Sequence, residues 1–257
     1  MLILSRLNSV LATITFLVIS GICPVVCNAQ VGEVIEKAKE NKSGKNRSSD
    51  DRLSSGWFFV DMFIGITDFA IRTIPVAQQD ILSRKYEEPW LVSLETGFTG
   101  GYAGPHNTLA FIPALQGNWG LFSSEFRLNR IFDASGNFQT LDWQILAFNL
   151  INREKVKFYM GGGFSHHQKT SDTFMEYATG LKLFFDQRSL SPAISVRWSP
   201  DFDTGITTRF ELNTRLSKRI ISTDRFHVNM MAGLVYQRYF ETTDFYFVQA
   251  GVDFMIF

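Results

Sequence analysis

Phe245-Tyr246-Phe247-Val248-Gln249-Ala250-Gly251-Val252-Asp253-Phe254-Met255-Ile256-Phe257 closes the chain, and its reading decides the fold. In an extended strand successive side chains point to opposite faces, so Val248, Val252, Phe254 and Ile256 share one side while Gln249 and Asp253 share the other. Working backwards, the same period of two holds as far as Trp90. Ten alternating runs can be marked: Trp90–Gly101, Asn107–Gln116, Gly120–Phe132, Phe138–Ile151, Lys155–His166, Phe174–Phe185, Ser191–Ser199, Ile206–Ser217, Arg225–Tyr239 and Asp244–Phe257. Turn formers separate them, among them Gly104-Pro105, Gly117-Asn118, Ser135-Gly136-Asn137, Asn152-Arg153, Asp186-Gln187 and Ser199-Pro200.

Two populations of side chain separate when every run is read this way. Leu94, Phe98, Leu109, Phe111, Phe126, Leu141, Trp143, Phe158, Phe164, Met175, Leu181, Ile194, Trp198 and Phe210 join the apolar face. Ser93, Gln144, Tyr159, Ser195, Asn213 and a dozen charged residues form the other. A soluble sandwich or lipocalin-like barrel turns the apolar face inward, whereas a transmembrane barrel turns it outward to lipid. The runs mostly span about nine to fourteen residues, against roughly nine to eleven for a tilted strand crossing a bilayer and about five or six for most soluble strands. The polar face also carries Gly, Ser, Thr and Tyr, which suits a crowded lumen.

The alternating aromatic strands, the short turns, a leader at the N-terminus and the terminal run ending in Phe257 resemble Gram-negative outer-membrane β-barrel proteins, over residues 88–257. The resemblance implies an all-β, antiparallel transmembrane barrel of about ten strands. Eight or twelve stay open because the Gly101–Gly120 region has alternative pairings. It implies location in the cell outer membrane, with outer-membrane lipid and lipopolysaccharide around the wall, and the barrel-insertion machinery reading the last strand with Phe257 as the signal. One departure stands out. Gly251 and Asp253 share the phase of Phe257, while the apolar set lies one register away, so either the strand ends in a bulge or the terminal Phe is less diagnostic of the family than its place suggests.

The inward face carries Glu95, Glu125, Asp142, Glu176, Glu211 and Asp253 against Arg127, Lys157, Lys182, Arg197, Arg209 and Arg215, six acids facing six bases. An ion-selective channel favours one sign at its constriction. A balanced set of long side chains pairs across a narrow lumen, and about ten strands enclose little more than such side chains fill. The expectation is a largely filled, charge-balanced lumen in a barrel with a structural or binding role. A narrow pore or a small-solute or lipid transporter is the alternative, and a lipid-modifying enzyme using loop histidines is the second.

Upstream of the strands the character changes twice. Residues 1–29 read as a secretory signal, with Arg6, an apolar stretch from Leu11 to Ile22, and Cys27-Asn28-Ala29 as cleavage site. Both cysteines, Cys23 and Cys27, lie in it, so the mature chain has no disulfide framework. Residues 30–56 are polar and lack aromatics, which predicts a solvated periplasmic linker with helical character over Val31–Asn41. Residues 57–87 place Trp57, Phe58, Met62, Phe63, Ile66, Phe69 and Ile74 at helical spacings interrupted by Asp61, Asp68 and Arg72, an amphipathic helix that either lies at a membrane interface or packs on a core.

Composition closes off several functions. Lys and Arg total 25 and Asp and Glu 25, so no basic excess exists for nucleic acid. Three of the four histidines, His106, His166 and His167, fall near turns at one predicted end of the barrel with Asp133, Asp172, Asp201 and Asp203, giving weak metal candidates or acid–base groups. The simpler reading of those acids is a solvated rim bridged to lipopolysaccharide by divalent cations. No HExxH, GxSxG or phosphate-binding Gly-rich motif is present, no Ser follows His106 (Asn107-Thr108) or His167 (Gln168-Lys169) by two residues as in barrel acyl hydrolases, and no cofactor is implied. Gly161-Gly162-Gly163 lies inside a strand, where it relieves crowding or kinks the wall.

Overall fold

A computed structural model describes residues 31–44, 78–79, 82–84, 88–104 and 107–257. The ten predicted runs are ten strands: β1 (Val92–Ala103), β2 (Thr108–Trp119), β3 (Phe122–Asp133), β4 (Gly136–Asn152), β5 (Val156–His167), β6 (Asp172–Leu183), β7 (Leu190–Pro200), β8 (Thr207–Ser222), β9 (Phe226–Tyr239) and β10 (Thr243–Ile256). Each pairs antiparallel with its neighbours, and β1 pairs with β10 to close a barrel. Of the strand counts open in the sequence, ten is the one observed, because Tyr102 to Ala103 and Leu109 to Thr108 form a simple hairpin across the Gly101–Gly120 region.

The wall is inside out relative to a soluble protein. Phe98, Phe126, Trp143, Phe164, Ile194 and Phe254 are exposed on the outer surface, while Arg127, Asp142, Glu176, Arg209 and Glu211 are buried within. Water on both faces would leave the first set wasted and the second set needlessly desolvated, so this is the anatomy of a barrel that crosses a membrane. Among the described residues no helix is long and apolar enough to cross one.

The β3–β4, β4–β5, β7–β8 and β8–β9 ladders each carry a register shift, and β6–β7 is short. The β4–β5 register shifts between Trp143 and Leu146, and Gly163 sits there so close to β4 that a Cβ would lie 1.9 Å from the Trp143 carbonyl oxygen. The glycine run therefore serves the bulge, as a strand glycine often does. The β6–β7 ladder joins only Tyr177–Lys182 to Ala193–Trp198, six positions where β1–β2 has twelve. The terminal strand has no bulge: β10 pairs with β9 without a break from Thr243 to Ile256. Its outward residues include Tyr246, Val248, Phe254 and Ile256. Phe257 lies just beyond the strand, its backbone N–H donating to the Arg225 carbonyl at 3.0 Å and its ring 4.6 Å from that of His227. Of the two alternatives for the phase of Phe257, the structure excludes the bulge.

One helix is described, α1 (Val31–Gly44), and it corrects the expectation of a solvated linker before the barrel. Val31, Val34 and Ala38 form an i, i+3, i+7 stripe, and all three are buried against inward residues of the barrel, including Ile131, Phe138, Tyr239, Phe245 and Phe247. These sit at the mouth opposite the one where β1 begins and β10 ends. The helix is thus a plug in the distal mouth, and burial of a short aliphatic stripe outweighs the polar composition around it. The predicted helix over residues 57–87 falls almost wholly outside the described residues. Gln78, within it, hydrogen-bonds the β2–β3 turn at the proximal mouth through the Trp119 carbonyl (3.2 Å) and the Leu121 N–H (2.8 Å).

Candidate functional site

All twelve charged residues assigned to the inner face lie there, and the register sorts them into layers. In the middle of the barrel, a belt of ion pairs runs across the lumen between β3, β4, β6, β7 and β8. Arg127 grips Asp142 (2.9 Å) and Glu211 (2.6 Å). Arg209 donates to Asp142 (2.9 Å), to Thr140 (2.8 Å) and to Glu176. Arg197 donates to Glu176 (2.8 Å) and Glu125 (2.6 Å). Neutral donors fill the remaining carboxylate lone pairs: Gln144 on Glu176 (2.7 Å), Gln237 on Glu211 (2.8 Å) and Ser165 on Asp142 (2.8 Å). Arg209, Asp142 and Glu176 are 0% exposed. Burying such charges costs several kcal/mol per ion, and the cost is offset only because each carboxylate receives several charge-assisted bonds.

Above the belt, towards the distal mouth, the lumen is apolar. Phe138, Tyr239, Phe245 and Phe247 stack edge-on or in parallel and meet the stripe of α1. The helix is fixed by its first turn. The Val31 N–H donates to Asp133 and the Gly32 N–H to Ser135, both at 3.0 Å. A carboxylate at a helix N-terminus satisfies orphan donors and meets the positive end of the helix dipole.

Below the belt lies a cavity of about 120 Å³ with a different charge pattern. Lys157, Lys182 and Arg215 face it, with Glu95 and Asp253 as the acids. Its floor is a residue that sequence reading placed in a turn, Arg188, whose guanidinium lies between the rings of Phe184 (3.6 Å) and Trp90 (4.1 Å). The turn that delivers it runs through three successive left-handed residues, Asp186, Gln187 and Arg188, with φ of 48°, 52° and 66°. Such residues are uncommon outside glycine, and three in a row persist only where the surroundings hold them. Here Arg219 donates to the Arg188 carbonyl (3.1 Å) and Ser189 to Asp186 (2.7 Å). Burial draws the Arg188 pKa down to about 10, so the group keeps its charge at neutral pH. One signal in the sequence marks this floor: Phe184 is an aromatic ring out of phase with its apolar neighbours Leu183 and Phe185.

The histidine candidates do not assemble. His166 points outward and shares a 2.9 Å hydrogen bond with Thr173, while His167 is its strand neighbour and points inward. The His167 ring is wedged among Phe138, Phe174 and Phe240, with neither nitrogen hydrogen-bonded. Adjacent strand residues face opposite sides of the wall, so the pair cannot share a metal ion. His106 lies outside the described residues. Asp133 is committed to α1 and its own turn, and Asp201 accepts from the Asp203 N–H at 3.0 Å. Among the described residues no group of three or more His, Cys, Asp or Glu is placed to hold a metal.

No protein-family model matches the chain, and no curated protein matches it. Among solved structures it is similar to the KdgM porin in complex with disordered oligogalacturonate, at 10% identity and a TM-score of 0.33, over 63% of this chain and 98% of the porin. It is also similar to Neisserial surface protein A, at 8% identity and 0.28, over 64% and 94%. A bacterial polysaccharide outer membrane secretin matches at 7% identity and 0.28, over 65% and 98%. Likeness at this level assigns no role, and what the barrel does has to be read from its own side chains.

Proposed function

We propose that the chain is an exported outer-membrane β-barrel with a structural or binding role, sealed across its lumen rather than open as a pore. The observation that carries this is the belt: three arginines and four carboxylates join β3, β4, β6, β7 and β8 through the lumen, and a second, apolar layer sealed by α1 lies above it. A selective pore needs a water-filled path with one sign of charge at its narrowest point, and the narrowest point here is a neutralised, solvent-free lattice.

In this reading residues 1–29 direct export and are removed after Ala29. The outward apolar band meets outer-membrane lipid, and the rim acids meet lipopolysaccharide through divalent cations. The barrel-insertion machinery reads β10 and Phe257. The end carrying β1's start and β10's finish faces the periplasm. Lipid-modifying catalysis draws no support from His166 and His167, which face opposite sides of the wall.

Single-channel recording on the refolded full chain in planar bilayers tests the seal. The expected record is a baseline without steady conductance. A stable, ohmic current that grows in proportion to salt would overturn the sealed-barrel reading and restore the narrow pore.

A further inference from the structure

We infer that the periplasm-facing half of the lumen is a binding site for a small soluble dianion of the phosphate or dicarboxylate class, held by Lys157, Lys182, Arg215 and the hatch residue Arg188.

The charge balance of the inner face is not uniform, and its asymmetry is what points to a ligand. Within the belt, four carboxylates meet three arginines. The cavity below holds four cationic side chains and two acids, an excess of two positive charges. The pairing differs as much as the count. Among the described residues none of the four cations makes an ion pair there, while every belt arginine makes at least two. Lys157 donates to the neutral amide oxygen of Asn118 at 2.8 Å, and the ammonium of Lys182 lies 5.4 Å from the Phe184 ring. Nη1 of Arg188 is buried without a hydrogen-bond partner. The two acids attract these cations only from beyond ion-pair distance, and their close contacts lie with other groups. Glu95 accepts from Asn118 at 2.9 Å, and the Asp253 carboxylate is packed over Gly97, where a Cβ would fall 2.5 Å from its oxygen.

Cations gathered in a low-dielectric recess repel one another and focus an attractive potential on anions. Two excess positive charges match a dianion. Two lysines supply point charges while two guanidiniums supply the paired N–H groups suited to planar or tetrahedral oxyanions. A cavity of about 120 Å³ admits a compact anion. The belt forms its ceiling, through Glu125, Arg127 and Arg197, so the ligand has no way through, and an acyl chain has no room beside the headgroup. Entry is from the floor, where the Trp90–Arg188–Phe184 stack must part, and the left-handed turn at residues 186–188 is the element that can move it. The inference goes beyond the sealed-barrel reading and can fail separately from it, since binding and conductance are read by different measurements.

The test is calorimetric titration of the detergent-folded full chain with inorganic phosphate and with succinate, at constant ionic strength, with chloride as the monovalent control. Both dianions are expected to bind and chloride to give no resolved heat. Lys182→Gln with Arg215→Gln is expected to weaken phosphate binding by about tenfold or more, as loss of two charge-assisted contacts requires. Arg188→Gln, which lies in a turn and leaves every strand intact, is expected to weaken it as well, and it carries the test if the double variant does not fold. Absence of binding by both dianions, binding that the substitutions do not change, or binding only when phosphate is presented on phosphatidic acid would each overturn the proposal.

Discussion

The belt and the vestibule beneath it are both built from inward-facing acids and bases of one barrel, yet they behave as opposites. Arg197 and Lys182 lie on adjacent strands, β7 and β6, both facing inward. Arg197 is held by Glu176 and Glu125 at ion-pair distance, whereas the ammonium of Lys182 lies 5.4 Å from the Phe184 ring and meets Glu95 and Asp253 only at longer range. The difference teaches that a barrel interior does not average its charge. Where the cross-section is dry each charge is locked to a counter-charge, and where a cavity admits solvent the sign is free to accumulate for use.

The comparison is broken most severely by removing a shared carboxylate from the belt. Glu176→Ala leaves Arg197 and Arg209 buried with one acceptor fewer each, and it is expected to cost about 3–5 kcal/mol of folding stability, read from urea unfolding of the folded barrel. A loss below about 1 kcal/mol would show the belt to be hydrated and the contrast with the vestibule to be weak. Replacing both ends of one contact sharpens the point. Glu176→Leu with Arg209→Leu is expected to cost less than the sum of the two single changes, with a coupling of about 0.5–3 kcal/mol in the double-mutant cycle. Strict additivity would mean that the two do not act as a pair. The smallest effect belongs to the vestibule. Lys182→Gln is expected to stay within about 0.5 kcal/mol of the parent in the same unfolding measurement, because it breaks no ion pair and relieves like-charge crowding.

Much of this architecture was legible beforehand, and the reason is the rigidity of the strand period. A period of two leaves no freedom in which face a side chain takes, so Glu95 through Asp253 could be assigned inward from alternation alone, and strand boundaries followed from turn residues to within a few positions. Who pairs with whom was not legible. Arg127 meets Glu211 across 84 positions in the chain, a contact set by barrel closure and stagger, which alternation does not encode. For the same reason a set of six acids and six bases looked even when the structure divides it. The α1 plug escaped because its apolar stripe has only Val31, Val34 and Ala38 among charged neighbours, and the pocket that receives it is assembled from β3, β4, β9 and β10. His166 and His167 looked like a cluster because adjacency in sequence was read as adjacency in space, and a strand puts such neighbours on opposite sides.

The short β6–β7 ladder gives the belt a second meaning. Backbone pairing between these strands stops at Tyr177 and Trp198, and Glu176, just beyond that end, is joined at 2.8 Å to Arg197, within the ladder. The seam with the fewest rungs is thus latched from inside by charge. Mechanically the barrel resembles a hoop closed by a clasp: where the backbone rungs are fewest, a charge contact from inside the lumen adds to the fastening of the circumference.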